Sequence, residues 1–174
     1  MNKQKVLTIV SEDYDDLEAW YPIIRLREAG YQVDIASTTK GETIKGKYGL
    51  SMQSNLSFDD VNPLDYLGLM IPGGWAPDKL RRYESVLNIV RTMDSNKRVI
   101  GEICHAGWVL ISADIIRGVK TTSTPGIKHD MINAGSIWEE VPAIRDRHIV
   151  SGRRPDDLPE YMKLILEALE DVKV

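Results

Sequence analysis

The sequence predicts an α/β protein, a three-layer sandwich in which helices cover both faces of a mostly parallel β-sheet. Short β-branched apolar runs alternate along the chain with stretches of helical period, and a strand–helix–strand order favours parallel pairing. The chain has 174 residues, 43% hydrophobic and 28% charged, which is the balance of a globular protein with one core. We therefore expect a single domain over residues 1–174.

The first strand–helix–strand unit begins at a compact β-prone run over residues 5–10, which predicts a buried strand. A polar turn follows, and the next helix is expected to end at Gly30, with Pro22 in its first turn or at a kink. Residues 31–36 alternate in polarity and predict the second strand. The helix is expected to bury an apolar stripe made of Leu17, Trp20, Tyr21 and Ile24.

The middle of the chain contains a glycine-rich excursion and two further strands. Residues 38–56 indicate a hairpin outside the main sheet. The apolar run 65–71 stops at Pro72, Gly73 and Gly74, and one helical pattern then extends from Pro77 to Met93. Residues 98–103 form the strand before Cys104, and a helix from there is expected to continue to about Arg117.

The last third of the chain indicates shorter elements and one long helix. A strand over 119–123 precedes a short helix over 126–133. Two late strands, 136–139 and 148–151, flank a polar turn at 145–147. The final helix is expected to begin with Asp157 as its N-cap and Pro159 in its first turn.

The site is expected at the carboxyl edge of the sheet, where open α/β sheets bind ligands. Cys104, the only cysteine of the chain, stands where a strand changes into a helix. The amino end of a helix favours negative charge, so we expect a lowered pKa for this thiol. The alternative is a small buried hydrophobic residue, which is the usual state of a free cysteine.

Three other groups would lie on the same edge. His105 is a candidate general base for the thiol or else a surface histidine. The Gly73–Gly74 turn either offers backbone N–H donors to an oxyanion or is only a tight turn. Glu18 is either an ordinary exposed glutamate or a carboxyl group that is hydrogen-bonded to the thiolate or the substrate. In the second case the carboxyl group can be protonated.

Composition excludes several other classes of function. A net charge of −4 offers no general attraction to nucleic acid. No segment approaches the roughly 20 apolar residues of a membrane span, and the start of the chain resembles no leader peptide. The single cysteine fits a reducing, cytoplasmic setting. His129 and His148 stand in no metal-ligand spacing and are interpreted as surface or loop residues, so we expect no metal and no cofactor.

Across nearly the whole chain the sequence resembles the PfpI family of the class I glutamine amidotransferase-like superfamily, which implies a flavodoxin-like arrangement of the sheet. Together and in order, the matching segments are specific. They are Glu18 with residues 21–22 and 25–26, then 28–30, 35–37, 46–49, 62–63, 71–74, 76–77, 103–105, 126–128, 131–135 and 154–159.

The resemblance implies that Cys104 is a nucleophile with Glu18 as its carboxyl neighbour. It also implies that His105 is the base, oriented by an acidic residue from an adjacent subunit that maps onto Asp78. The backbone N–H groups of Gly74 and His105 would form the oxyanion hole. Two departures stand out: Ala106 and Gly107 replace the more usual Gly-Pro, and Asp78 is one methylene shorter than the usual glutamate.

We therefore expect a homo-oligomeric cysteine-dependent hydrolase, a dimer or a hexamer, that acts on peptides or on small dicarbonyls and their adducts. The peptidase and the glyoxalase or deglycase readings both begin with attack of the thiolate on a carbonyl carbon. The alternative is a redox-responsive or chaperone-like stress protein that uses oxidation of Cys104. A third reading is a family member without activity. No nucleic acid or membrane partner is expected.

Overall fold

The computed structural model describes residues 4–172, so the chain start at Met1, where no leader peptide is expected, lies outside them. The strands are β1 Lys5–Ile9, β2 Gln32–Ser37, β3 Thr43–Lys45, β4 Ser51–Gln53, β5 Leu56–Ser57, β6 Gly68–Ile71, β7 Val99–Ile103, β8 Lys120–Thr121, β9 Ile137–Trp138, β10 Ala143–Asp146 and β11 Ile149–Gly152. The α-helices are α1 Asp16–Glu28, α2 Ala76–Leu80, α3 Glu84–Ser95, α4 Gly107–Ala113, α5 Lys128–Asn133 and α6 Leu158–Val172.

A seven-stranded sheet with the order β10-β11-β7-β6-β1-β2-β5 forms the centre of the molecule. Its pairings are parallel except that of β10 with β11. The chain crosses from β1 to β2 in one direction and from β6 to β7 in the other, so right-handed crossovers place α1 and α3 on opposite faces. The predicted α/β sandwich is confirmed, and β3 and β4 form the predicted hairpin outside the main sheet.

The buried face of α1 differs from the predicted stripe. Leu17 and Ile24 are 58% and 57% exposed, whereas Ala19, Ile23 and Leu26 are buried. The helix is rotated so that Glu18 points inward, and Pro22, one helical turn further along, is buried on the same face. Pro22 lies inside the helix beyond its first turn.

The helix prediction from Pro77 to Met93 is wrong in one respect, because the chain forms α2 and α3 with a break at Tyr83. Tyr83 has an extended backbone (φ −94°, ψ 117°), which no helix can continue through. The helix after Cys104 ends at Ala113, short of the predicted Arg117, because Asp114 adopts a left-handed conformation (φ 58°).

The polar turn predicted at residues 145–147 is mostly strand. Arg145 and Asp146 belong to β10, and only Arg147 has the left-handed backbone (φ 58°) of a tight hairpin connection. None of the helices within residues 4–172 is long and apolar enough to cross a bilayer.

Candidate active site

Cys104 occupies a sharp elbow at the end of β7. Its φ of 64° lies in the left-handed region that residues with a side chain rarely adopt. Hydrogen bonds fix this conformation: the Cys104 N–H donates to the carbonyl of Gly152 (3.0 Å), and the Cys104 carbonyl accepts from the N–H of Thr124 (3.2 Å). The strained backbone is thus held by neighbouring segments, as is common at functional sites.

Glu18 on α1 lies against this elbow and is almost completely buried. Its Oε2 accepts a hydrogen bond from the N–H of Gly73 (2.8 Å), and its carboxyl group lies beside the Cys104 thiol, with Oε1 unpartnered among residues 4–172. Burial, and next the negative charge of Asp15, raise the pKa of Glu18 to about 8. The carboxyl group is therefore largely protonated at neutral pH and can donate to sulfur.

Asp15 sets the position of Glu18 because it is the N-cap of α1. Its Oδ1 accepts from the backbone N–H groups of Leu17 (3.1 Å) and Glu18 (3.2 Å). A side-chain acceptor at this position satisfies helix donors that have no other partner. The cap thus fixes the first turn of α1, from which Glu18 projects.

The Gly73–Gly74 turn packs directly on these groups. A Cβ atom on Gly73 would lie 2.3 Å from Oε2 of Glu18 and 2.7 Å from Cβ of Cys104, so only glycine fits. Gly74 has a φ of 79° and is bridged to Tyr14. Within residues 4–172 its N–H donates to no backbone carbonyl, so this donor is free to face a ligand.

His105 contacts the thiol, although adjacent residues on a regular helix face apart. Its Nδ1 lies 3.3 Å from Sγ of Cys104, and the elbow makes this approach possible. The imidazole lies between Trp75 and Trp108, with ring centroids 5.4 Å and 5.2 Å away. Burial, and next the charge of Lys47, lower the pKa of His105, so the ring is neutral and can accept a proton.

The expected low pKa of Cys104 is wrong for the resting site. Burial, and next the charge of Glu18, raise the pKa of this thiol above its ordinary value. α4 begins only at Gly107, so the thiol is not seated on the first N–H groups of the helix. A neutral thiol next to a neutral imidazole is the resting arrangement, and deprotonation has to accompany attack.

Asp78 does not join the other predicted residues within one chain. It lies on α2, half-exposed, and its carboxylate forms an ion pair with Arg82 (2.6 Å). No carboxylate among residues 4–172 forms an ion pair or hydrogen bond with the imidazole of His105. Its contribution from a neighbouring subunit stays a prediction.

The interpretation of His129 and His148 as surface or loop residues is confirmed, since His129 is exposed and His148 lies in the turn before β11. His148 is nevertheless buried in this turn, and its Nε2 lies 2.7 Å from Oδ1 of Asp94. Within residues 4–172 no group of three or more histidine, cysteine and acidic side chains has an arrangement that could hold a metal ion.

Sequence reasoning missed the aromatic and cationic surroundings of the thiol. Trp75 and Trp108 flank the imidazole, and Lys47 reaches over Trp75 from the β3–β4 hairpin. No periodic pattern marks these residues, because they come from three separate loops and helix starts. Asp15 was open to prediction, since an aspartate immediately before a helix is a common N-cap.

These features define a class: a parallel α/β sandwich with a cysteine on a strand-to-helix elbow, beside a buried carboxyl group and a glycine turn. Residues 4–168 match the family described as DJ-1/PfpI, and the chain belongs to this family. The PfpI resemblance is thereby confirmed.

Several relatives are similar over nearly their whole length. Deglycase PH1704 of Pyrococcus horikoshii is 43% identical over 166 residues, covering 95% of this chain and 99% of the relative. General stress protein 18 of Bacillus subtilis is 34% identical over 170 residues, covering 96% and 98%. A solved two-domain protein of Anabaena variabilis, with DJ-1/ThiJ/PfpI-like and ferritin-like domains, has a TM-score of 0.95 at 31% identity. This chain aligns over 97% of its own length but spans only 48% of that protein.

Proposed function

We propose that the protein is a PfpI-type cysteine-dependent hydrolase that acts on carbonyl adducts, as a deglycase does. The observation that carries this proposal is the position of the Cys104 thiol, which lies 3.3 Å from Nδ1 of His105 and beside the buried Glu18 carboxyl. A nucleophile, a base and a donor to the developing charge therefore meet at one point. The deglycase name of the relative with 43% identity favours this reaction over peptide cleavage.

The neutral state of His105 determines the first step. With its proton on Nε2, the imidazole takes the thiol proton on Nδ1 while the sulfur adds to the carbonyl carbon of the substrate. The backbone N–H groups of Gly74 and His105 would stabilise the resulting oxyanion. Glu18 in its protonated form would donate to sulfur whenever sulfur carries negative charge. The thiol or amine leaves the adduct in the site as the aldehyde carbon becomes available to the sulfur of Cys104, and a proton then moves from that carbon to the neighbouring carbonyl carbon through an enediol. This internal redox step needs no external oxidant and gives a 2-hydroxy thioester on Cys104, which water hydrolyses to a hydroxy acid and the free thiol.

Replacement of the nucleophile tests this proposal. In Cys104→Ser we expect turnover of methylglyoxal hemithioacetals to fall by at least about 10³-fold, because a hydroxyl is a far weaker nucleophile. A fluorogenic peptide assayed in parallel separates the deglycase from the peptidase reading. If neither substrate is consumed in a cysteine-dependent way, both enzyme readings fail.

We further propose that the chain acts in the cytoplasm as a homo-oligomer in which Asp78 approaches His105 of a neighbouring copy. Within residues 4–172 the Asp78 carboxylate is half-exposed and pairs with Arg82 at the surface, where a neighbouring copy could reach it, and this supports the proposal. Asp78→Asn should then lower turnover by about tenfold without change in the assembly measured by analytical ultracentrifugation. Equal activity of the variant and the wild type would remove Asp78 from the site.

A second candidate function has one observation in its favour. The protonated Glu18 carboxyl beside Cys104 could donate a hydrogen bond to a sulfinate oxygen, and one relative is named a general stress protein. Mass spectrometry after mild peroxide treatment tests this function. An unmodified Cys104 would contradict it.

A further inference from the structure

The turn over residues 46–50, between β3 and β4, is fastened to the beginning of α1. Two oxygens of the buried Asp16 carboxylate accept from the N–H groups of Tyr48 and Leu50, both at 2.7 Å. The N–H of Lys47 donates to the carbonyl of Tyr14 (2.8 Å). A Cβ atom on Gly46 would lie 2.6 Å from Oδ2 of Asp16, so the turn packs too tightly for any larger residue. The turn therefore has a fixed position relative to Glu18, which lies on the same helix.

The Lys47 ammonium group is held at the rim of the site by aromatic rings. Its Nζ lies 4.9 Å from the ring centroid of Trp75 and 5.2 Å from that of Tyr48. Trp75 is in turn 5.4 Å from the imidazole of His105. Stacking on rings restricts a long side chain that would otherwise move freely in water. The Trp75 ring thus lies between the ammonium group of Lys47 and the imidazole of His105.

Lys47 forms no ion pair within the part of the chain that the structure describes. Its field nevertheless reaches the reacting groups, since it helps to lower the pKa of His105 and opposes the burial that raises the pKa of Glu18. A cation without a counter-ion at the mouth of a site attracts an anion.

The opposite rim differs. Arg81 lies 5.7 Å from the ring centroid of Trp108, beside a cavity of about 510 Å³ that Asp130 also lines. Asp130 accepts a hydrogen bond from Nε1 of Trp108 (2.8 Å), so a carboxylate is already present on that side. An anionic substrate group would therefore be drawn to the Lys47 side of the thiol.

We propose that Lys47 binds the substrate and selects carbonyl compounds that carry a carboxylate near the reacting carbon. The catalytic part of this inference rests on the proposed function of Cys104, whereas the selection of anions by the site does not. A strongly hydrated point charge near the thiol would raise the local concentration of anionic substrates and orient them. No covalent step involves Lys47.

Alkylation of Cys104 tests the selection of anions without any turnover. Iodoacetate and iodoacetamide differ by one charge, and the chain has a single cysteine to report on. We expect the second-order rate constant for iodoacetate, divided by that for iodoacetamide, to fall about fivefold in Lys47→Gln, because the variant loses a partly screened positive charge. Lys47→Arg should keep the ratio. The ratio also cancels any change in the intrinsic reactivity of the thiol.

Lys45→Gln is the matched control, because Lys45 is exposed on β3 of the same hairpin and the change removes the same charge. An unchanged ratio in Lys47→Gln, or an equal fall in Lys45→Gln, would overturn the proposal. An equal fall in Lys45→Gln would mean that the general positive potential of the surface attracts the anion, and not the particular position of Lys47.

Turnover provides the catalytic arm. The probes are the methylglyoxal hemithioacetals of N-acetylcysteine and of N-acetylcysteinamide, which differ only in one carboxylate. In Lys47→Gln we expect kcat/KM for the charged probe to fall about fivefold relative to the neutral one. Equal losses for both probes would overturn the assignment of substrate class. If the alkylation ratio falls but wild type turns over neither probe, the proposed deglycase function fails while the selection of anions stands.

Discussion

Two buried carboxyl groups, Glu18 and Glu102, lie in the same part of the molecule, since an ionised Glu18 would raise the pKa of Glu102, yet their surroundings differ. Burial raises the pKa of both to about 8. Oε2 of Glu18 accepts from the N–H of Gly73 and the carboxyl group lies beside Cys104, while Oε1 has no hydrogen-bond partner within residues 4–172. Glu102 lies in the middle of the sheet on β7, next to Ser151 by register, and neither of its oxygens has a hydrogen-bond partner within residues 4–172.

A raised pKa alone does not identify a catalytic acid. Both groups are neutral because water is excluded, but only Glu18 lies where its proton can reach sulfur. Glu102 is fully enclosed two residues before the elbow, with no path to a substrate. We expect Glu18 to affect chemistry and Glu102 to affect stability.

The largest expected effect separates the two groups by activity. Glu18→Gln removes the acidic proton beside Cys104, so turnover of hemithioacetals should fall about 10²-fold at pH 7, the usual size of a lost acid–base contribution. Glu102→Gln should remain within about threefold of wild type. Steady-state kinetics on both variants check this, and equal losses would contradict the division of roles.

A smaller effect is expected when the support of Glu18 is disturbed. In Gly73→Ala the new methyl group would meet Oε2 of Glu18 and Cβ of Cys104. Overpacking of this kind costs roughly 1–3 kcal/mol, and we expect alkylation of Cys104 to slow by about tenfold. Gly126→Ala is the control, because a Cβ there meets nothing within 4 Å and Gly126 has no left-handed backbone. Equal behaviour of the two variants would argue against tight packing at the turn.

The smallest expected effect concerns stability against pH. The folded pKa of Glu102, about 8, exceeds its ordinary value of 4.5, so the folded state retains a proton that the unfolded state has lost. The free energy of unfolding should therefore be highest below pH 4.5 and decrease as pH rises through about 8. Glu18 contributes in the same direction. Glu102→Gln should remove roughly half of this decrease.

Urea unfolding at closely spaced pH values between 5 and about 8.5 measures this slope for wild type and Glu102→Gln. The difference between the two curves isolates Glu102 from other titrating groups. Parallel curves would mean that Glu102 is ionised or solvated in the folded protein.

Much of the fold could be predicted because periodicity records which faces are buried. The β-branched run 98–103 and the helical spacing after it predicted β7 and the elbow at Cys104, and Gly73–Gly74 predicted the second turn. Because parallel strands end at the same edge of a sheet, the turns before Glu18, at Gly73–Gly74 and at Cys104 could be predicted to share that edge. Helix ends were less predictable, since a left-handed residue such as Asp114 leaves little trace in the pattern of polarity.

The sequence by itself determined the α/β class, the single thiol, its place on a turn and the residues that share its edge, because strands and helices impose periods that are local properties of the chain. Only the tertiary structure decided which face of α1 is buried, the raised pKa of Cys104 and the approach of Lys47 through Trp75. Desolvation and through-space charge depend on distances between segments far apart in sequence, and no local pattern encodes those distances.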